Sequence, residues 1–253
     1  MKFTFLGTGS SLGVPVVACD CKVCTSSDKK DQRLRSSLMI QDKGVTIVID
    51  TGPDFRTQML NNNVTDLDAI IYTHQHRDHI AGLDDIRAFN YILNKDIELY
   101  AKEDIMQAIN GEFPYIFTDT GYLGAPKVQL NYINNKVFKI KHVEILPIFV
   151  HHYKLEALGF RINDVTYIPD VSKIEPIEYE KIRGSKIIII DALRKSRHIS
   201  HFSLDEAIHL LEDLKPAQGY LTHMSHFIGL HEELEKSLPD FIKPAYDGLS
   251  FEV

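Results

Sequence analysis

The segment THQHRDH places His74, His76, Asp78 and His79 within six consecutive positions. Imidazole and carboxylate groups are common ligands of divalent metal ions. The apolar run AIIY precedes the segment and predicts a strand that ends just before it. At a strand end, histidines spaced i, i+2 can converge on one ion, and the following turn can direct Asp78 and His79 to a second ion. The segment therefore predicts a metal centre with two ions.

A centre with two hydrolytic ions needs ligands from other parts of the chain. Such ions lie about 3.5–4 Å apart and are commonly bridged by a carboxylate. The remaining candidates each follow an apolar, strand-like run: His151 and His152 after ILPIFV, Asp170 after VTYIP, and His223 after GYLT. Taken singly, each fits a structural or solvent-facing position better than a ligand. Their shared position at strand ends favours a common site, and the spacing within the chain leaves His151 and His152 as alternatives.

The cysteines Cys19, Cys21 and Cys24 all lie in the segment CDCKVC. Three clustered thiols cannot form a balanced set of disulfides, and disulfides are rare in reducing compartments. Clustered thiolates in such compartments bind metal ions or carry out redox chemistry. The segment therefore predicts a metal site that lacks its fourth ligand, with a redox dithiol as the alternative.

The elements that must position these residues are mainly strands. Two hairpins are predicted, SSLMIQDKGVTIVIDT and LGFRINDVTYIPD, which turn at Lys43-Gly44 and Asn163-Asp164. Further strands are predicted in KFTFLGT, LDAIIYTH, IELYA, KVQLNYI, KVFKIKHVEILPIFV, KIIIIDAL and GYLTHM. Helices are predicted at 54–62, 84–93, 102–110 and 230–237, and in SLDEAIHLLEDL, where Ser203 and Glu206 have the spacing of a capping box. This order predicts an α/β fold with two sheets face to face and outer helices, in one domain that spans residues 1–253.

One long segment, GEFPYIFTDTGYLGAP at 111–126, has no clear periodicity. It contains four aromatic residues, three glycines and two prolines. Long irregular loops in compact domains are often functional. The segment is therefore either a surface loop with a packed aromatic underside or a lid that forms one wall of a substrate site.

The composition excludes several classes of protein. The chain has 253 residues, of which 44% are hydrophobic and 25% charged, as is typical of a soluble globular protein. No apolar stretch approaches the ~20 residues that span a bilayer, and the N-terminus lacks the apolar run of a signal peptide. We therefore expect a cytoplasmic location and no membrane partner. The formal net charge of −7 argues against nucleic acid as a partner, which usually needs a basic face.

The segment THQHRDH matches the HxHxDH signature of the metallo-β-lactamase superfamily. The segments FLGTGSSLGVP, CDCKVC, IDTGPDFR, HRDHIAGLDDIR and LTHMSH together resemble its PhnP group of cyclic phosphodiesterases, which are relatives of tRNase Z. The resemblance extends from Phe5 to about Asp247. It implies an αββα sandwich of two mixed sheets, with the metals at one edge between them. The predicted order of elements agrees with this fold.

The resemblance also implies the ligands of two divalent catalytic ions, zinc or manganese. One ion would be held by His74, His76 and His152, the other by Asp78, His79 and His223, and Asp170 would bridge them. The family's spacing to Leu158 selects His152 and leaves His151 as its neighbour. In the same family the cysteine site is completed by the second histidine of HMSH, which is His226 here. A closed set of three cysteines and one histidine favours a structural zinc ion.

The resemblance further implies that His201 is a catalytic residue, because its spacing to Ala207 matches the family. It would bind phosphate or protonate the leaving oxygen. Asp170 would orient the nucleophile in addition to bridging the ions. Asp50 and Asp191 end predicted strands, and we expect them to orient metal-bound histidines.

The expected function is hydrolysis of a small cyclic or nucleotide-type phosphodiester, of the phosphoribosyl cyclic phosphate class, by a hydroxide that two metal ions activate. PhnP-like proteins often dimerise, so a homodimer is expected. One alternative is RNA 3′-processing as in tRNase Z, which the acidic charge and the lack of a Gly-rich basic insertion disfavour. Acyl hydrolysis of the glyoxalase or lactamase type is disfavoured by the CxCxxC and HxxH motifs. A non-catalytic metal-binding carrier similar to PqqB is disfavoured by the complete ligand set.

Overall fold

The computed structural model describes residues 1–118 and 124–253, and its first sheet begins at the N-terminus. The strands of this sheet are β1 (Lys2–Gly7), β2 (Ser37–Asp42), β3 (Val45–Ile49), β4 (Ala69–Ile71), β5 (Ile97–Ala101) and β6 (Val128–Tyr132). The predicted hairpin joins β2 to β3, and its turn residues Lys43 and Gly44 have φ of 45° and 82°, as a two-residue hairpin turn requires. Strands β3 to β6 are parallel neighbours, so their C-terminal ends share one edge.

The second sheet faces the first one. Its strands are β7 (Phe138–Ile140), β8 (Val143–His152), β9 (Leu155–Ile162), β10 (Val165–Ile168), β11 (Lys173–Ile174), β12 (Ile187–Asp191), β13 (Gln218–Thr222) and β14 (Ile242–Pro244). Their order is β11-β8-β9-β10-β12-β13-β14, with β7 beside β8. The predicted hairpin at Asn163 joins β9 to β10, and β10, β12, β13 and β14 run parallel. The last strand, β15 (Ser250–Glu252), returns to the first sheet beside β1.

Eight α-helices lie in the described residues and connect the strands. They are α1 (Phe55–Asn61), α2 (Arg77–Ile80), α3 (Arg87–Leu93), α4 (Glu103–Glu112), α5 (Pro114–Phe117), α6 (Pro176–Ile182), α7 (Leu204–Leu214) and α8 (His231–Ser237). The predicted helices at 54–62, 102–110 and 230–237 are confirmed, and so is the capping box of Ser203 and Glu206 at the start of α7. The predicted helix at 84–93 is divided into a 3₁₀ turn, Leu83–Ile86, followed by α3.

Two predictions about the chain were wrong in part. The segment KVFKIKHVEILPIFV is not one strand, because the backbone turns at Lys141 (φ 53°) and separates β7 from β8. The segment 111–126 is not irregular throughout, since α4 extends to Glu112 and α5 follows it. Contacts of this region reach the loop of the histidine motif: Tyr115 donates to Asp84 (2.7 Å) and Glu112 pairs with Arg77 (3.1 Å). Residues 119–123 of the predicted lid or loop lie outside the described residues.

The hydrophobic core has two layers, which confirms the predicted sandwich. One cluster contains residues from both sheets, such as Ile47 of β3 and Phe160 of β9, and therefore fills the space between them. The other contains residues of the second sheet with Leu211 of α7 and Leu234 of α8. Strand β12 alternates between the layers, because Ile189 lies in the first cluster and its neighbours in the second. Among the described residues we found no helix with both the length and the apolar character that crossing a bilayer demands.

Candidate metal centre

The histidines and aspartates singled out in the sequence meet at one edge of the two sheets. From the first sheet come Asp50, directly after β3, and the motif His74–His79, after β4; from the second come His152 at the end of β8, Asp170 after β10, Asp191 at the end of β12, and His223 after β13. The strands that end here point in the same direction within each sheet. Loops at the C-terminal ends of parallel strands are a common location for active sites.

A glycine allows the two loops of the first sheet to touch. A Cβ atom on Gly52 would lie 2.1 Å from the carbonyl oxygen of Asp78, so only glycine fits there without displacement. The Thr51 amide donates to the carbonyl of His79 (2.7 Å), and the Gly82 amide donates to that of Thr51 (2.8 Å). These contacts fix the short helix α2, which carries Asp78 and His79, against the end of β3.

The first donor group consists of His74, His76 and His152. One nitrogen of each ring lies within 4.8 Å of the others. The closest pair is His74 Nε2 and His76 Nδ1, at 3.0 Å. His74 and His152 are buried, whereas His76 is exposed. Three imidazole nitrogens that converge in this way form a ligand set for one divalent ion.

The second donor group consists of Asp78, His79 and His223. The Oδ2 atom of Asp78 lies 3.3 Å from His79 Nε2 and 3.6 Å from His223 Nε2. Asp170 approaches this group with both oxygens, Oδ2 at 3.1 Å from His79 Nε2 and Oδ1 at 3.2 Å from His223 Nε2. A carboxylate oxygen of Asp170 also lies within 4.8 Å of a ring nitrogen of His74, which belongs to the first donor group. Asp170 thus lies between the two donor groups, where a bridging ligand would be needed.

Unsatisfied polar atoms test whether this edge fits metal ions. His79 Nε2, Asp170 Oδ2 and both ring nitrogens of His223 are buried and make no hydrogen bond to any described residue. His79 Nε2 and Asp170 Oδ2 are close, but they are not aligned as donor and acceptor. Buried polar atoms without partners are rare in folded proteins and require an explanation. Cations at this position would satisfy His79 Nε2, Asp170 Oδ2 and the Nε2 atom of His223, which faces Asp78 and Asp170.

The charges around His79 lead to the same conclusion. Burial acts to lower the pKa of His79, but Asp170, Asp78 and Asp50 outweigh it and raise that pKa well above its ordinary value. The cluster therefore carries more negative charge than its neutral histidines balance. A divalent ion replaces such a proton, since metal binding requires neutral imidazole and ionised carboxylate. The residues present fit two divalent ions.

Hydrogen bonds to the second ring nitrogen orient three of these histidines. His79 Nδ1 lies 2.7 Å from Asp50 Oδ2, His152 Nδ1 donates to the Ser200 carbonyl (2.7 Å), and His74 Nδ1 lies 3.0 Å from Thr73 Oγ1. Such bonds fix the tautomer and the ring orientation of metal ligands. Asp50 thus orients a histidine as expected. The sequence analysis did not identify Thr73 or the Ser200 carbonyl. Thr73 could have been found because it lies directly before His74, whereas nothing in the sequence places Ser200 beside His152.

Asp191 has a different partner from the expected one. Its Oδ2 accepts from His201 Nδ1 (2.9 Å) and from the Val171 amide (3.1 Å), so it orients His201 and none of the histidines in the two donor groups. The prediction for Asp191 was therefore wrong in its target, because sequence position alone does not show which ring lies across the sheet edge. His201 is brought to the centre, with its ring 4.6 Å from that of His152 and 4.8 Å from that of His223.

The adjacent histidines of β8 face opposite sides of the sheet. His152 is buried beside His76, with ring centroids 4.9 Å apart. The His151 ring is 42% exposed and pairs with Glu175 (3.1 Å). Successive residues of a strand alternate in direction, so only one of the two can reach the centre. The structure brings His152 to it and leaves His151 outside.

A separate site, here called the cysteine site, combines three cysteines of the loop between β1 and β2 with His226, which follows β13. The sulfur atoms of Cys19, Cys21 and Cys24 lie 3.3, 3.4 and 3.4 Å from Nδ1 of His226. The cysteines are free, and all four residues are half-buried. The Cys24 amide and the His226 ring, among other contacts, lower the pKa of the Cys21 thiol to about 6 against the effect of desolvation. Three thiolates and an imidazole around one point are the ligand set of a closed zinc site.

Comparison with known proteins gives relatives over most of the chain. A family model described as a β-lactamase superfamily domain matches residues 45–224. An octanoyltransferase of Porphyromonas gingivalis is 34% identical over 98% of this chain and 51% of its own length. A ribonuclease Z of Prochlorococcus marinus is 26% identical over 76% of this chain and 61% of its own length. The chain therefore spans only about half to three fifths of these curated relatives.

Solved structures resemble the chain over its whole length. A diphosphatase of the PhnP family is 38% identical, with a TM-score of 0.93, over 100% of this chain and 97% of that one. Zn²⁺-bound PqqB from Methylobacterium extorquens is 17% identical, with a TM-score of 0.82 over the full length of both chains. The second likeness shows the fold alone.

Proposed function

Because the chain belongs to the metallo-β-lactamase superfamily and resembles its PhnP group, we propose that it is a metal-dependent phosphodiesterase. The observation that carries the proposal is the position of Asp170 between two groups of metal donors. Paired ions of this kind are typical of enzymes that cleave phosphate esters by in-line displacement. The proposed substrate is a small cyclic or nucleotide-type phosphodiester, such as a phosphoribosyl cyclic phosphate. The full-length likeness to a PhnP-family diphosphatase supports this class.

In this proposal the chain's donors hold two divalent ions, zinc or manganese. His74, His76 and His152 hold one, Asp78, His79 and His223 hold the other, and Asp170 is shared. When bound, the ions supply a hydroxide nucleophile near neutral pH and positive charge for the phosphoryl oxygens. Asp50, Thr73 and the Ser200 carbonyl fix the rings that bind them. A third ion, zinc, is proposed for the cysteine site, where four protein ligands exclude water and substrate.

His201 is the residue that can assist departure of the leaving group. Its Nδ1–H donates to Asp191 (2.9 Å), so a second proton must be carried on Nε2. As the bond between phosphorus and the leaving oxygen breaks, the electron pair stays on the oxygen, and the Nε2 proton can pass to it. General acid catalysis of this kind contributes roughly 10²–10⁴-fold. Asp191 keeps the ring oriented through this hydrogen bond. Burial lowers the pKa of His201, despite the charges of Asp170 and Asp78, and this makes the protonated ring a stronger acid.

The test is turnover of bis(p-nitrophenyl) phosphate with added Mn²⁺ or Zn²⁺. Asp78→Ala should lose one ion per chain and most of the activity, because it removes a ligand of the second donor group. Asp96→Ala is the matched control, since this exposed aspartate lies just before β5, at the opposite edge of the sheet. Wild-type turnover and metal content in Asp78→Ala would overturn the proposal.

Acyl transfer or acyl hydrolysis is a second candidate, favoured by the relative named octanoyltransferase. That relative is about twice as long as the matched region, so we infer that its unmatched half carries the activity in its name. The metal donors of this chain suit phosphate chemistry, and none of them depends on the unmatched half of that relative. Hydrolysis of p-nitrophenyl octanoate, measured beside bis(p-nitrophenyl) phosphate, distinguishes the two candidates. Preference for the octanoate ester would favour the second.

A further inference from the structure

His223 is held differently from the other buried histidines of the centre. Neither of its ring nitrogens has a hydrogen-bond partner in residues 1–118 and 124–253, whereas His79 has Asp50 and His152 has the Ser200 carbonyl. Its backbone lies in the left-handed region, with φ of 54°, which is unfavourable for a residue with a Cβ atom. Such a conformation persists only where the surrounding structure imposes it. The His223 ring is stacked on those of His201 and His79, and no hydrogen bond from the described part of the chain to its nitrogens fixes its direction. The position of its main chain therefore contributes to the orientation of His223.

The main chain on both sides of His223 is fixed by hydrogen bonds to neighbouring segments. The Met224 amide donates to the Thr8 carbonyl (2.9 Å), and the Ser10 amide donates to the Met224 carbonyl (3.2 Å). On the other side, the Ala192 amide donates to the Thr222 carbonyl (3.0 Å). Residues 8–10, which continue β1, therefore determine where the residue after His223 can lie.

Thr8 is itself held by a buried polar network. Its hydroxyl donates to Asp247 Oδ1 (2.8 Å) and accepts from Arg33 Nη1 (2.9 Å). The same Arg33 nitrogen donates to the Ala245 carbonyl (2.6 Å), and Asp247 Oδ2 accepts from the Leu34 amide (2.7 Å). Thr8 is fully buried and Arg33 is 3% exposed. Hydrogen bonds to charged groups are strengthened at such buried positions, so this network is rigid.

We propose that Thr8, Arg33 and Asp247, here called the Thr8 brace, are positioning residues for His223. The brace holds the Thr8 main chain, which holds Met224 and thereby keeps the His223 ring directed at Asp78 and Asp170. It does for this ring what Asp50 does for His79, through the backbone instead of through a ring nitrogen. The inference rests on the proposed pair of ions, because it assigns His223 to one of them.

The brace makes a specific prediction about metal retention. A network that only stabilised the fold would affect all three proposed ions in proportion to the loss of stability. A positioning network affects the ion held by Asp78, His79 and His223 first, because only that ion depends on His223. Loss of outer partners of metal ligands typically lowers metal affinity by roughly 10- to 100-fold.

Thr8→Val tests the brace, because it keeps the side-chain shape and removes the hydroxyl that joins Arg33 to Asp247. Thr8→Ser restores the hydroxyl. Thr166→Val is the matched control: Thr166 is equally buried, its hydroxyl bonds that of Ser185 (2.7 Å), and it lies near the start of β10, at the opposite edge. Each protein is dialysed against increasing EDTA, its ions are counted by elemental analysis, and the melting temperature of the metal-free form is measured.

We expect Thr8→Val to release one ion per chain at about 10- to 100-fold lower EDTA than the wild type. Thr8→Ser should behave as the wild type. Thr166→Val should melt earlier and release its three ions together, earlier only in proportion to its loss of stability. Asp247→Asn, made in parallel, should shift release in the same direction. Wild-type release by Thr8→Val and Asp247→Asn would overturn the inference, and so would equally early release by Thr166→Val. Ion counts need no substrate, so they are independent of whether the phosphodiesterase activity exists.

Discussion

His223 and His226 belong to the same short segment, yet they serve two sites of different construction. The site of His223 collects its donors from the ends of strands in both sheets, and His74, His79, His152, Asp170 and His223 are all buried there. The site of His226 takes its other donors from one loop, and all of its members are half-buried. The sheets therefore hold the donors of the first site in place. At the second site three donors belong to one loop outside the strands, and we expect a bound ion to order that loop.

This difference predicts opposite responses to loss of metal. Donors at the ends of buried strands are held by the core, so the paired site should keep its shape when its ions are removed. The cysteine loop has little apolar surface to bury, and its order should depend on the ion, as in small zinc domains. The two sites are joined by the segment between His223 and His226, so disorder in the loop should reach the paired site only indirectly.

The largest effect should come from Asp170→Ala, which removes the carboxylate common to both donor groups. We expect loss of both paired ions and a fall in phosphodiester turnover of about 10⁴-fold or more, since the ions supply several kcal/mol of transition-state stabilisation. The cysteine site should keep its single zinc ion, which elemental analysis would detect. A variant that keeps three ions per chain would show that Asp170 is not shared.

The next effect concerns His201→Ala, which should retain all three ions. With an alkyl leaving group the rate should fall roughly 10²–10⁴-fold, because an alkoxide needs a proton. With p-nitrophenolate, which departs without one, the fall should be smaller. His209→Ala is a suitable control, since this exposed histidine of α7 donates, among the described residues, only to the Asp205 carbonyl (2.6 Å). An equal loss with both leaving groups would identify His201 as a phosphate-binding residue.

A smaller effect is expected for Asp50→Asn, which weakens the orientation of His79 without removing a ligand. The affinity of the paired site for metal should fall by about 10- to 100-fold, and turnover at limiting metal should fall with it. Asparagine tolerates the left-handed conformation of this position (φ 66°), so the backbone should not change. Asp68→Asn at the opposite edge, where Asp68 accepts from the Thr46 amide (2.9 Å), should leave metal binding unaltered. Affinity unchanged in Asp50→Asn would mean that the fold alone orients His79.

The smallest effect on turnover should follow Cys21→Ser. The protein should contain one metal ion fewer per chain and melt at a lower temperature, while His74, His76 and Asp78 still bind ions. Turnover should fall only a few-fold, because His223 is also held from the side of Thr8. Thr25→Ser, in the same loop, is the control. Full zinc content and an unchanged melting curve in Cys21→Ser would show that the cysteines are not ligands.

Local features of the sequence were enough for the fold class and for the segments that carry the donors. Period-two runs identified most strands, and the two hairpin turns followed from Gly44 and Asn163, which accept a positive φ. The short strands β11, β14 and β15 and the helices α2, α5 and α6 were missed. The missed elements other than α6 have two to four residues, which is too short for a periodic pattern, and long-range contacts stabilise them instead. Helix α6 is as long as the predicted α1 and α8, and Pro176 at its start was the available signal.

The sequence by itself determined which chemical groups are available and that they follow strands, because histidine, aspartate and cysteine clusters are local patterns. The tertiary structure decided the rest. It directed His152 inward and His151 outward, joined Asp191 to His201, and brought the Ser200 carbonyl to His152. It also brought Thr8, Arg33 and Asp247 together behind His223. These contacts join residues far apart in the chain, and they depend on strand register and on which face of a sheet a residue occupies, which only the packed sandwich defines.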